Sequence, residues 1–201
     1  MKAAYTKPFL TATFIVLIDQ AIKVWVRQNM TKHEPIKFMG NHGMLQYVEN
    51  NGMAFGMELG GEWGKLALTL FRIVAVAGIG YGLVHLIKQK YHRGLIMMVA
   101  LILAGAVGNI IDSVFYGVIY GYAPLLQGQV VDMFYFPLFS GHFPAWFPVW
   151  GGEEFIFFRP IFNFADAAIS VGVIMILFNQ GRYFKHEQEE ESSPNSEMVE
   201  D

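Results

Sequence analysis

The chain has 201 residues, 54% hydrophobic and 15% charged, with a formal net charge of −3. A mean hydropathy of +0.36 is too high for an ordinary soluble domain and points to a protein that crosses a membrane several times. Cysteine is absent, which excludes disulfides, thiolate metal sites and a thiol nucleophile.

The negative balance comes mostly from the tail Glu187–Asp201, which is polar and acidic enough to be disordered. The rest is mildly basic without a continuous basic patch, so nucleic-acid binding is not expected. The expected fold class is an all-α membrane protein. It has four transmembrane helices, a small extracytoplasmic β-containing cap and an aromatic interfacial loop.

Met1–Pro8 is a short basic start carrying Lys2 and Lys7. The apolar run at about 9–26 reads as an uncleaved first span. It lacks a small-residue cleavage site, and Asp19 and Lys23 stand where a clean apolar region would continue. These two are four residues apart, share a helical face and can pair. The long mixed segment 27–64 contains a short strand at Leu45–Val48 and a turn signal at Asn50-Asn51-Gly52, where glycine can take positive φ. It reads as a structured cap on the membrane face. The second span covers about 66–87 and contains Arg72, and the basic turn Lys88–Arg93 follows.

The third span, about 94–111, carries Gly105 and Gly108 at a spacing suited to close helix approach. It ends in Asn109-Ile-Ile-Asp112, with the polar residues on one face. The second long connection, 113–161, is rich in Trp, Phe, Tyr and Pro, so part of it should lie among lipid headgroups. The fourth span covers about 162–181. Asn163, three residues before Asp166, is expected on the same helical face and able to hydrogen-bond it.

Lys2, Lys7, Lys88–Arg93, Arg182 and Lys185 fall on one side of a four-span chain. That side is expected to be cytoplasmic, with both termini inside and both long connections outside. Asp19, Asp112, Asp132 and Asp166 then gather near the outer face. Two carboxylates at one site cannot both ionise easily. The ionised one can take a proton from water and the protonated one can donate to a carbonyl or a leaving amine, which is peptide hydrolysis without a cofactor. The six histidines are scattered without metalloprotease spacing, and neither a phosphate loop nor a serine elbow is present, so a metal site is not expected.

Two other readings of the same acids exist. A proton-coupled transporter or channel would spread them through the membrane depth. A non-catalytic assembly protein would use them as structural ion pairs.

Five blocks occur in order: Asp19-Gln-Ala-Ile-Lys23, Asn50-Asn-Gly-Met-Ala-Phe55, Gly105-Ala-Val-Gly-Asn-Ile-Ile-Asp112, Val130-Val-Asp132 and Phe162-Asn-Phe-Ala-Asp166. On these the chain resembles the lipoprotein signal peptidases (signal peptidase II), four-span aspartyl proteases of the bacterial cytoplasmic membrane. The resemblance implies a membrane peptidase domain over 1–186, followed by the tail 187–201. It implies Asp132 and Asp166 as the catalytic dyad, with Asn109, Asp112 and Asn163 orienting it. Asp19, Lys23, Asn50 and Gly52 would shape the site and hold substrate backbone.

The implied substrate is a prolipoprotein whose cysteine carries diacylglycerol, cut on the amino side of that cysteine by a monomer that globomycin-like cyclic peptides block. No cofactor is implied. The chain departs from the family pattern at Ser113, where the family has Arg; Arg72 and Arg159 are the candidates to replace its charge. The links 116–129 and 133–160 are longer than usual in the family. The second of these is expected to pack in the interface as a lid or substrate gate.

Overall fold

The structure, a computed structural model, describes residues 2–32, 34–52, 61–157 and 160–184. The expected tail 187–201, together with Lys185, Arg159 and the stretch 53–60, lies outside them. The elements in order are α1 (Lys2–Asn29), β1 (Ile36–Lys37), β2 (Met44–Asn50), α2 (Gly61–Lys88), α3 (Arg93–Ile111), a π-helical turn (Asp112–Tyr116), α4 (Gly117–Ile119), β3 (Val130–Tyr135), β4 (Phe139–His142), β5 (Glu154–Phe157), β6 (Ile161–Phe162) and α5 (Phe164–Tyr183). Four helical stretches are long and apolar enough to cross a membrane: Tyr5–Asn29, Trp63–Lys88, Arg93–Ile119 and Phe164–Tyr183. Large apolar side chains such as Phe14, Phe71, Val74 and Phe178 point outwards on them, as lipid contact requires. The chain is a multi-pass membrane protein.

Two compact units divide the chain. Unit 1 comprises Met1–Ile18, Phe71–Ile110 and Ala165–Asp201. Its core packs Leu83 and Ile87 of α2 against Ile96, Ala100 and Leu103 of α3. Helices α3 and α5 approach closely because glycine stands at the crossings. A Cβ on Gly105 would lie 2.2 Å from the Ala165 carbonyl oxygen, and one on Gly172 would lie 2.8 Å from that of Met98. In lipid such contact is the attraction itself, since no hydrophobic effect drives helices together there.

Unit 2 comprises Asp19–Leu70 and Ile111–Phe164. Its main sheet has the order β1-β2-β3-β6, antiparallel throughout, so it draws strands from both long connections. Successive side chains of a strand face opposite ways. Accordingly Val131 and Met133 of β3 and Tyr47 of β2 pack against Val26 of α1, Met30 just beyond it and Tyr116 of the π turn, while Asp132 belongs to the other face. A second sheet is the hairpin β4–β5, in register from Phe139↔Phe157 to His142↔Glu154.

Two expectations are corrected here. The third span does not end at Ile111, because the chain stays helical to Ile119. Asp112 and Ser113 are both buried with partners, and the apolar run beyond them continues the helix. The loop that follows closes back on the π turn, with Gly128 N donating to Ser113 O (2.8 Å) and Leu126 N to Val114 O (3.0 Å). Only glycine fits at 128, where a Cβ would lie 2.1 Å from the Asp112 carbonyl oxygen. The fourth span does not begin at 162 either. Ile161 and Phe162 pair with Tyr135 and Phe134 as β6, and the helix starts at Phe164.

Candidate active site

Asp132 sits mid-strand on β3, opposite Val48 of β2, and is 4% exposed. Such a carboxylate needs hydrogen-bond donors. Asn50 lies two residues beyond Val48 on the same face of β2, a diagonal neighbour within reach. Its Nδ2 donates to Asp132 Oδ2 at 3.0 Å. Asn163 Nδ2 donates to Oδ1 at 2.7 Å. The shared-helix argument for Asn163 and Asp166 is therefore corrected: Asn163 stands between β6 and α5, outside the helix, and turns its amide to Asp132. Gly52, at φ +93°, donates its N–H to Asn50 Oδ1 (2.8 Å), which fixes the Asn50 amide with its NH₂ towards Asp132. Lys65 Nζ (3.1 Å) and Gln129 Nε2 (3.0 Å) both donate to Asn51 Oδ1 and tie down the same turn.

In unit 1, Asp166 lies in the first turn of α5, where the helix dipole favours negative charge. Asn109 Nδ2, near the end of α3, donates to its Oδ1 at 2.8 Å. Asn109 is one turn beyond Gly105, whose close approach to Ala165 brings the two helices to this spacing.

The remaining acids form a different arrangement. Lys23 Nζ lies 2.9 Å from Asp19 Oδ2 and 2.8 Å from Asp112 Oδ2, with all three side chains fully buried. Pairing of Asp19 with Lys23 follows from their spacing; the third member, Asp112, comes from the π turn. Asp112 Oδ2 also accepts from Val131 N (3.2 Å), the residue before Asp132. Sequence reasoning missed Gln20, which donates to Asp112 Oδ1 (2.9 Å) and accepts from the Tyr116 hydroxyl (3.0 Å). Its only signal was its place beside Asp19. Ser113, at the position of the family Arg, is buried and offers its carbonyl to Gly128.

A polar cleft of about 340 Å³ also went unforeseen; it is lined by Arg27, Lys32, Tyr47, Glu49, Tyr120, Tyr122 and Gln129. Arg27 lies 4.0 Å over the Tyr120 ring and, with Lys32, pairs with Glu49. Burial pushes the Glu49 carboxyl upwards, but hydrogen bonds from Lys32 and Tyr47 and the nearby Arg27 charge outweigh it, leaving Glu49 below the usual range. Burial, and then its bond to Glu49, hold the Tyr47 phenol above its ordinary value. Among the described residues no group of three His, Asp or Glu is placed to hold a metal ion.

Four apolar spans, a small mixed cap and, in each unit, a carboxylate held by side-chain amides define an integral membrane protein with acidic groups fixed by neutral partners. The family model for Signal peptidase (SPase) II matches residues 11–181. Two strains of Porphyromonas gingivalis have lipoprotein signal peptidases 46% identical over 179 residues, covering 81% of this chain and 77% of theirs. The lipoprotein signal peptidase of Amoebophilus asiaticus is 40% identical over 178 residues, covering 84% of this chain and 75% of its own. The fold is also that of a bacterial membrane enzyme determined by the in meso method at 2.3 Å resolution, with TM-score 0.62, 24% identity and 89% of each chain covered. The chain belongs to the signal peptidase II family and is an aspartic endopeptidase.

Proposed function

We propose that Asp132 and Asp166 are the catalytic pair of this peptidase, acting on a lipoprotein precursor whose cysteine carries diacylglycerol. The observation that carries the assignment is the kind of partner each carboxylate has. Asp132 and Asp166 are oriented by the amides of Asn50, Asn163 and Asn109, which fix a carboxylate without neutralising it. Asp19 and Asp112 are instead ion-paired with Lys23.

In the reaction one aspartate takes a proton from water as the water oxygen attacks the scissile carbonyl carbon. The other, protonated, donates to the carbonyl oxygen. As the tetrahedral species collapses, the carbon–nitrogen bond breaks and the leaving amine of the cysteine receives a proton. The products are the free signal peptide and the lipidated protein with a new amino terminus. Asn109, Asn163 and Asn50 are positioning residues for the pair, and Gly52 positions Asn50. The triad Asp19–Lys23–Asp112 positions β3 through the Val131 amide. The peptidase domain spans 1–186, with the site near the outer face of the cytoplasmic membrane and both termini inside.

The test is a gel-shift assay in liposomes with diacylglyceryl-modified and unmodified prolipoprotein. Wild type should cut only the modified form, and a globomycin-like cyclic peptide should block it. Equal cutting of both forms would overturn the lipid requirement. Asp132→Asn and Asp166→Asn should each lower the rate by about 10²–10⁴-fold. A folded variant with near-wild-type rate would remove that aspartate from the pair.

A further inference from the structure

The hairpin β4–β5 and its tip do not take part in the site described above. From Met133 to Gly152 the chain carries no Lys, Arg, Asp or Glu. A soluble protein would bury such a stretch, but here its ends are open: Trp146 is 79% exposed, Val149 85% and Trp150 51%. The tip is nevertheless ordered by its own contacts. Phe139 and Phe157 stack across the strands at 4.7 Å, Phe147 stacks on Phe143 at 5.2 Å and on Trp150 at 6.2 Å, and Phe143 meets Trp150 at a tilt at 6.2 Å. Phe143 N donates to Glu153 O and Gly152 N donates back to Phe143 O, each at 2.9 Å. Gly151 is held so closely that a Cβ would lie 2.6 Å from the Ala145 carbonyl oxygen.

Val149 takes φ +75°, a left-handed backbone conformation that is strained for a β-branched residue. Its side chain is left open by the packing that orders the rest of the tip. The apolar surface also continues past the hairpin. Phe38 meets Phe136 edge-on at 5.8 Å, and His42 Nδ1 lies 3.3 Å from the Pro137 carbonyl, which joins the exposed Phe38 and Met39 to the hairpin base.

We infer that the β4–β5 hairpin is a lipid-binding element whose tip, Trp146, Val149 and Trp150, seats at the boundary between headgroups and acyl chains. The chemistry favours a lipid surface over a protein groove. Tryptophan prefers that boundary because its ring is apolar and its indole N–H seeks a polar partner. The chain is already membrane-embedded, so a bilayer is at hand. An uncharged tip followed by the exposed Glu153 matches an apolar depth below a polar surface. The hairpin follows β3, which carries Asp132, and precedes β6 and Asn163, so seating it would also steady the two strands around that carboxylate. The inference rests on the membrane character of the chain and stands or falls apart from the assignment of the catalytic pair.

The test uses the full chain with Trp25→Phe and Trp63→Phe, which leaves Trp146 and Trp150 as the only tryptophans. The protein is placed singly in nanodiscs of phosphatidylglycerol and phosphatidylethanolamine, with a nitroxide on the acyl chain near the glycerol or near the methyl end. The shallow label should quench the fluorescence about twofold more than the deep one, and aqueous acrylamide should quench it weakly. Val149→Asp, which keeps both reporters, should reverse that pattern. Strong acrylamide quenching with no lipid quenching would overturn the inference. So would shielding that appears only with two copies per disc, which would make the tip a dimer contact, or only with lipidated prolipoprotein, which would make it a substrate contact.

Discussion

Unit 2 holds two groups of buried carboxylate, and they are treated in opposite ways. Asp19 and Asp112 surround the Lys23 ammonium, while Asp132 receives two neutral carboxamides. An ion pair in a dry site is rigid, and its members are held by the charge they share. A carboxylate fixed by amides keeps its charge and spare lone pairs, and so keeps its chemistry. On the proposed assignment the difference separates acids that hold the fold from an acid that acts, although both kinds are buried and equally visible in the sequence.

The comparison can be broken most forcefully at Lys23. Lys23→Met leaves two buried carboxylates without their cation and should destabilise the protein by about 3–5 kcal/mol, read from thermal unfolding in detergent. Replacing all three members by apolar residues of similar volume should recover much of that loss. On the other side, Asn163→Ala removes one charge-assisted hydrogen bond from Asp132. It should lower the cleavage rate by about 10- to 100-fold, corresponding to about 1.5–3 kcal/mol, and shift the melting temperature less than Lys23→Met does.

Gly105→Ala probes the corresponding support of Asp166. Its methyl group would meet the Ala165 carbonyl, so the α3–α5 pair must part at a cost of about 1–3 kcal/mol, with activity falling as Asn109 withdraws. The smallest effect is expected at Glu49. Its carboxyl is held below the usual range, so its contribution is present above the ordinary glutamate pKa and fades as pH falls through the lowered value. Wild type should exceed Glu49→Gln in thermal stability by about 1 kcal/mol at neutral pH, and the gap should close in acid.

The spans were legible because about twenty apolar residues in a row have few alternatives. The Asp19–Lys23 pair and the close approach at Gly105 were legible because helical spacing fixes neighbours within one element or one crossing. What spacing could not show was pairing between distant segments. Val130–Tyr135 lay within the aromatic connection, and its role as the strand between β2 and β6 depends on residues some eighty positions earlier and thirty later. The same blindness put Asn163 in a helix with Asp166, when two β6 residues upstream pull it towards Asp132. Asp112 pairs with Lys23, a residue on another helix far earlier in the chain that helical spacing could not reveal. The resemblance named these acids together. The partners that separate them into two kinds needed coordinates.

The most direct measurement follows cleavage rate and thermal midpoint together for Asp132→Asn and Asp112→Asn. The account predicts a split: Asp132→Asn loses about 10²–10⁴-fold in rate at a nearly unchanged midpoint, whereas Asp112→Asn lowers the midpoint and loses activity in step with it. An Asp132→Asn protein that unfolds early, beside a stable but inactive Asp112→Asn protein, would contradict it.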